Sequence, residues 1–536
     1  MASLARRAAG LGLWLAVSVL PAQNLPQILN VVSSVDATPQ PYALYLPKNF
    51  DAQRQYPLVV SLHSEESNHR LNLAQVLGPP GPGVTAAGTH PLRHETDFIV
   101  VCPLARGTMG YQGIPEQDVY DVLADVERRY PVDQDRVYLT GISMGGGGAL
   151  WLAETRPDLW AGVAALCADP MPGSDDLAGN LLNIPVRLYH GEIDTVVPVT
   201  LSRAGQRRLL DLGVSAGYFE YPSVRHNVWD LAYARGGAME WFDGLRRERS
   251  PERVRFVTRS YQYSAAYWLR IDSLTPGLLT SVDARRASNG DVNVTTANVA
   301  GFTILSRPAQ VTIDGTAIRL KPGATISFNK TATGWRQQLA PPVAKHLGAE
   351  GPIVRAASGR HIYIYGAEGV STEEELEKRR QQAEMAAAWS TTRSRLLLAF
   401  AVKADREVTA EDIDNSDLVL FGNSGSNSLI ARFAPRLPLE LRPDAADYGL
   451  LFIASTGKHY LLVNSGLPWW TGVDESTVAG YRWAPLQFRE LSRLGDYLLF
   501  RGSVAQVVAQ GRFDANWQLP ADAAIRTAAT GIVKIR

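Results

Sequence analysis

The sequence predicts an α/β protein, a mostly parallel sheet with helices on both faces, followed by a small antiparallel β unit and a second, smaller α/β unit. Three observations carry this. Short apolar runs alternate with helical periodicity from Pro41 to about Phe242. The charged, proline-bearing stretch from Gly244 to Arg255 then breaks the alternation. The 536 residues exceed one ordinary core, and at roughly 150 residues per domain they suggest about three units.

The N-terminal segment reads as a leader. Arg6 and Arg7 precede an apolar run from Ala8 to Leu20, and Pro21-Ala22-Gln23 follows. This predicts a secretory signal over residues 1–22 and a secreted or periplasmic mature chain. The alternative is an uncleaved anchor, for which a run of about thirteen apolar residues is short. Cleavage after Ala22 leaves a small residue at the last position, whereas Leu20 two residues earlier is not small, so the exact site stays open. No later run is long and apolar enough to span a bilayer, so no stable membrane insertion is expected once the leader is gone.

Through the first unit, strands are expected at Tyr42 to Leu46, Pro57 to Leu62, Asp97 to Cys102, Arg136 to Thr140, Val163 to Cys167, Pro185 to His190 and Gly217 to Tyr221. Between them, Asp118 to Tyr130 places Val119, Val122, Leu123 and Val126 on one helical face. The second unit carries β-rich runs at Tyr267 to Ile271, Val292 to Thr296, Ala309 to Ile313 and Ala317 to Leu320, with hairpin dipeptides at Asn289-Gly290 and Asp314-Gly315. In the third, His361 to Tyr365 is a strand, and a helix from Ser371 to Trp389 opens on a capping box of Ser371 with Glu374. Further strands follow at Leu418 to Phe421, Gly449 to Ile453, Tyr460 to Val463 and Tyr497 to Phe500. The expected boundaries are 25–248, 252–340 (sandwich-like) and 350–536.

Composition narrows the partners. Hydrophobic residues make up 46% and charged residues 20%, which excludes disordered, collagen-like and membrane classes. Fifty-three basic residues balance fifty-three acidic ones, and a phosphate backbone needs a cationic surface, so nucleic acid is not an expected partner. Cys102 and Cys167 lie in apolar runs and read as buried free thiols. Without the cysteine and histidine spacing of a zinc site, neither metal nor cofactor is expected.

The chemistry gathers at Gly141-Ile142-Ser143-Met144-Gly145. A buried strand precedes this G-x-S-x-G turn and a helix follows, the context that exposes a serine hydroxyl on a sharp elbow. Serine is a weak nucleophile at neutral pH, so it needs a base, and the base needs an acceptor to fix its tautomer. Asp194 follows the strand ending at His190, and His226 follows the strand ending at Tyr221. Both stand at carboxyl ends of strands, on the edge that presents Ser143. Glu192 is the nearest competitor of Asp194.

Several of these stretches together resemble the esterase and prolyl-oligopeptidase-like branch of the α/β-hydrolases, which includes polyhydroxybutyrate-depolymerase-like and feruloyl-type esterases. They are Tyr42-Ala-Leu-Tyr-Leu-Pro47, Tyr56 to His63, Asp133 to Gly146, His190-Gly-Glu-Ile-Asp194 through Val197-Pro198, and His226-Asn-Val-Trp229. The resemblance implies a triad of Ser143, Asp194 and His226, and an oxyanion hole of the Met144 N–H plus one donor from the loop after Leu62. Members of this branch usually carry His-Gly in that loop, where this chain has His63-Ser64-Glu65-Glu66. Ser64 N–H is the candidate second donor and Glu65 the next.

The expected activity is hydrolysis of carboxylic esters, small or polymeric, through an acyl-enzyme. Two alternatives stand beside it: an exported serine peptidase, and a non-catalytic binding or surface protein on the same scaffold. Other features read as structure. Phe421-Gly422-Asn-Ser-Gly425-Ser-Asn427 lacks a phosphate-loop lysine and reads as a helix-entry turn. Pro468-Trp469-Trp470 reads as packing and Glu373 to Arg380 as a solvated helix face. Trp151, Trp160 and Trp229 lie near the elbow or the histidine in sequence. The oligomeric state is not legible in the chain.

Overall fold

The computed structural model describes residues 26–78, 96–234, 237–321, 325–339, 344–389, 398–474 and 486–536. The leader expected over residues 1–22 lies outside them. Among the described residues no helix is long and apolar enough to cross a membrane.

The first unit is one eight-stranded sheet. Its strands are β1 (Gln27–Val32), β2 (Pro39–Tyr45), β3 (Tyr56–Leu62), β4 (Ile99–Pro103), β5 (Val132–Ile142), β6 (Gly162–Leu166), β7 (Val186–Gly191) and β8 (Ala216–Tyr221). They stand in the order β1-β2-β4-β3-β5-β6-β7-β8. From β4 to β8 all pairs are parallel, whereas β1 and β2 join antiparallel at one edge. β3, β4 and β6 are buried at every position, as strands covered on both faces must be, and that is why their sequences are nearly continuous apolar runs. β1 was not anticipated. It is an edge strand, only half buried, and its apolar residues do not alternate cleanly enough to announce it.

Helices α1 (His69–Leu77), α2 (Ile114–Arg129), α3 (Met144–Thr155), α4 (Ser174–Leu177) and α5 (Val199–Asp211) are among those that flank the sheet. Helix α2 begins four residues before the expected Asp118. Pro115 sits in its first turn, where a missing N–H costs nothing. Cys102 and Cys167 are free and buried, as expected.

Residues 253–337 form two five-stranded sheets around a shared core that includes Phe256, Trp268, Phe302 and Phe328. The pairing is not purely antiparallel as expected, because Val292–Val294 runs parallel to Val311–Ile313. Asp314-Gly315 makes a two-residue hairpin, Ile313 facing Thr316, with φ of 49° and 80°. At Asn289-Gly290 the connection is longer, Arg286 pairing with Val292.

A seven-stranded mixed sheet follows, from His361 to Gly511. Its strand His361–Tyr365 has the expected bounds. The helix after it spans Glu373–Ala387, and its cap is Thr372, whose hydroxyl accepts from Glu375 N–H at 3.2 Å. The expected box of Ser371 with Glu374 is therefore one residue out of register. Trp469 is fully buried and stacks on Phe421 at 5.7 Å, which is packing. Asn427 caps the helix Ser428–Phe433, so the glycine-bearing stretch before it is a helix-entry turn.

Candidate active site

Strand β5 lies inside the sheet between β3 and β6, and Ser143 stands where it turns into α3. Its φ of 57° and ψ of −118° are a strained conformation for a residue with a Cβ. Neighbouring backbone holds it there. Ser143 N–H donates to Leu166 O at 2.8 Å, and Ser143 O accepts from Gly147 N–H and Asp169 N–H, each at 3.1 Å. The glycines around it are required by space. A Cβ at Gly141 would lie 2.1 Å from Gly145 O, one at Gly145 2.2 Å from Leu62 O, and one at Gly147 1.7 Å from Asp169 O.

Asp194 sits in the loop after β7. Its Oδ1 accepts from Val196 N–H at 2.8 Å and Val197 N–H at 3.0 Å, and its Oδ2 faces His226 Nδ1 at 2.7 Å. His190 Nε2 is 3.2 Å from the same Oδ2, while its own ring is pinned by Ser202 Oγ at 2.7 Å. The Asp194 carboxylate is wholly buried and the His226 ring one-fifth exposed. Trp229 stands edge-on to that ring at 6.4 Å. The competitor Glu192 is turned elsewhere, accepting Ser223 N–H at 2.9 Å and clamping the turn that leads to His226.

Cys167 links the three positions. The Ser143 N–H faces its sulfur, and ligand atoms of Cys167, Asp194 and His226 lie within 4.8 Å of one another. That donor set could receive a soft cation in principle. Burial pushes the Cys167 thiol well up, so its proton is hard to displace, and the Asp194 oxygen is already engaged by His226. Cys167 has a φ of 38°, a second left-handed residue beside Ser143 that no sequence motif marks. Asp169, next in the same loop, lies near enough to His226 to feel its charge. Burial raises its carboxyl and His226 lowers it in part.

Met144 is the first residue of α3, where N–H groups have no partner within the helix. The Leu62 and His63 carbonyls press against Gly145, which brings the Ser64 loop to the elbow. Ser64 O accepts from Ser67 N–H at 3.1 Å and stands 2.7 Å from His63 Nδ1, and the other ring nitrogen of His63 is 2.8 Å from Leu104 O. Burial lowers the His63 pKa, and the Ser64 and Leu104 carbonyls at its two ring nitrogens raise it in part. Tyr111 OH donates to His63 O at 3.1 Å. A trans peptide sets the Ser64 N–H opposite that carbonyl. Tyr111 and Asp169 were not singled out in the sequence, because only the folded loops bring them to the serine.

Parts of the chain are similar to known proteins. Residues 115–232 match the phospholipase/carboxylesterase family. Over 98 residues the chain is 30% identical to a cutinase, Cutinase 1 of Thermobifida cellulosilytica, covering 18% of this chain and 36% of that one. It is 28% identical over 178 residues to feruloyl esterase D of Neurospora crassa, covering 32% of this chain and 59% of the other. The chain thus spans about a third of the length of the cutinases it matches. A solved thermostable esterase overlaps 41% of this chain and 63% of its own at 25% identity, with a TM-score of 0.35. Sheet order, elbow and sequence matches together make the first unit of this chain similar to the esterases of the α/β-hydrolase fold.

Proposed function

We propose that the chain is an exported serine hydrolase of carboxylic esters, small or polymeric. Ser143 Oγ attacks the ester carbonyl and passes its proton to His226, whose Nδ1–H is held by Asp194. The tetrahedral oxyanion is met by the Met144 N–H and by a donor at Ser64. His226 returns the proton to the leaving alcohol, and water then releases the acid by the same steps in reverse. Residues 25–248 are the catalytic domain in this reading, and residues 252–340 and 350–536 two appended domains.

One observation carries the proposal: a serine strained to a φ of 57° at a strand-to-helix turn, on the same sheet edge as a histidine 2.7 Å from a buried carboxylate. Strain of that kind costs about 1–3 kcal/mol and persists where it serves a function. The export reading rests on residues 1–22, and the ester reading on the kinship with esterases. A fluorophosphonate probe is the test. It is expected to label the wild-type chain and not Ser143→Ala; an unlabelled wild type, or equal labelling of both, sinks the proposal. Turnover of a p-nitrophenyl ester well above that of an aminoacyl nitroanilide is the expected preference.

A further inference from the structure

We propose that a cleft between the first unit and the two appended regions binds a carboxylate-bearing aromatic or apolar group, and that it is the distal part of the Ser143 site. The second half of this statement rests on Ser143 as nucleophile; the ligand class does not. The cleft measures about 340 Å³, within the range of roughly 300–1,000 Å³ typical of small-molecule sites. Tyr111, Trp151 and Met171 line it from the first unit, Tyr263 from the second, and Phe488 from the third.

Its position follows from the loops that form it. Tyr111 comes from the loop after β4 and Met171 from the loop after β6, both on the carboxyl edge of the sheet that carries Ser143. Tyr111 packs against Gly148, where a Cβ would come within 2.4 Å of its ring, and Met171 Cε lies 3.3 Å from the Cβ position of Gly147. Gly147, Gly148 and Trp151 share a side of α3, so the cleft begins about one helical turn from Ser143.

Among the described residues, the charged ones lining it are Arg259, Arg355, Arg489 and Arg512, with no carboxylate. Arg259 is committed to Asp176 at 2.5 Å, and Arg489 is buried. Arg355 donates from Nη2 to Ser260 Oγ at 2.5 Å. Arg512 reaches Asp496 Oδ1 only at 3.9 Å, while Lys345 holds the other oxygen of that carboxylate. The nearby acids face other donors. Glu350 accepts from Ser260 Oγ and from the Tyr261 and Gln262 N–H groups, and Glu116 from Trp151 Nε1 and Tyr263 OH. Arg355 and Arg512 therefore keep N–H groups for the cleft. A guanidinium matches a carboxylate with two parallel hydrogen bonds, and the rings beside it suit an aromatic or aliphatic body.

The test uses the full chain with Ser143→Ala, so that binding is read without turnover. Calorimetry should show 4-phenylbutanoate binding about tenfold tighter than 4-phenylbutanamide, since the charge-assisted bonds are lost with the amide. Arg512→Gln, at a side chain about one-third exposed, should erase most of that preference. Equal affinities in the parent chain, or a preference untouched by both Arg512→Gln and Arg355→Gln, overturn the proposal. In the active chain, the mono-p-nitrophenyl ester of glutaric acid should show a lower KM than p-nitrophenyl butyrate, with the difference lost in Arg512→Gln; equal KM values overturn the link to Ser143. A chain that ignores fluorophosphonate yet prefers the carboxylate refutes the nucleophile and leaves the cleft standing.

Discussion

Asp194 uses both of its carboxylate oxygens, one on two backbone N–H groups and one on His226. Asn in its place keeps the shape and presents an NH₂ that cannot accept the Nδ1 proton, so the ring takes the wrong tautomer. Asp194→Asn should lower kcat about 10⁴-fold and change KM only a few-fold, in steady-state ester hydrolysis. Glu154 invites a second prediction. It is 3% exposed and accepts Ser174 Oγ at 2.5 Å, and burial pushes its carboxyl well above the usual range. A raised folded pKa means that ionisation opposes folding. The cost is absent below the unfolded value near pH ~4.5 and grows as pH rises toward the folded one. Glu154→Gln removes that cost, so its stability relative to the parent should climb by about 1.4 kcal/mol per pH unit in that window. Urea midpoints at pH 5 and pH 7 read the difference, and a gap that stays constant contradicts it. At this scale the strand-to-helix turn at Ser143 and the loops that carry Asp194 and His226 were legible because each follows a recognisable strand. The place of Cys167 and Asp169 beside the site was not, since it is set by strand adjacency across the sheet rather than by any local pattern.

Helix α3 contains Gly145, Gly146, Gly147 and Gly148 in its first turns, a poor helix by propensity, at about 1 kcal/mol per glycine relative to alanine. It forms because the sheet and loops leave no room for side chains. Gly147→Ala should therefore destabilise by about 3 kcal/mol or more, the Cβ being driven onto Asp169 O. Gly205 in α5 is the control, with nothing within 4 Å of its Cβ position; Gly205→Ala should stabilise by about 1 kcal/mol. Thermal unfolding of the two variants measures the contrast, and equal shifts would remove steric closeness as the reason for the glycines. The buried parallel strands were readable as apolar runs for the same reason that they sit inside the sheet. Strand β1 was not, because an edge strand needs little apolar content, and the early start of α2 was hidden by Pro115, which marks a helix entry as readily as a loop.

Across the whole molecule, the sequence showed where the character of the chain changes, at Gly244 to Arg255, but not how closely the parts interlock. The Asn180 amide pairs with Val257 as a strand would, accepting its N–H at 2.6 Å and donating to its carbonyl at 2.9 Å. Tyr263 OH reaches back to Glu116 on α2 at 2.7 Å. These contacts join residues far apart in the chain, so no window of sequence displays them. The strand order has one more consequence. Ser143 is anchored to β5, inside the sheet, whereas His226 hangs beyond β8, the edge strand. In the proposed mechanism the two ends of one proton transfer therefore belong to regions with different free energies of local opening, the edge fraying long before the centre. In a graded urea series, ester hydrolysis should be lost at a lower concentration than the far-ultraviolet signal of the sheet, while the amides of β5 exchange with solvent last; coincident midpoints would mean that edge and centre open together.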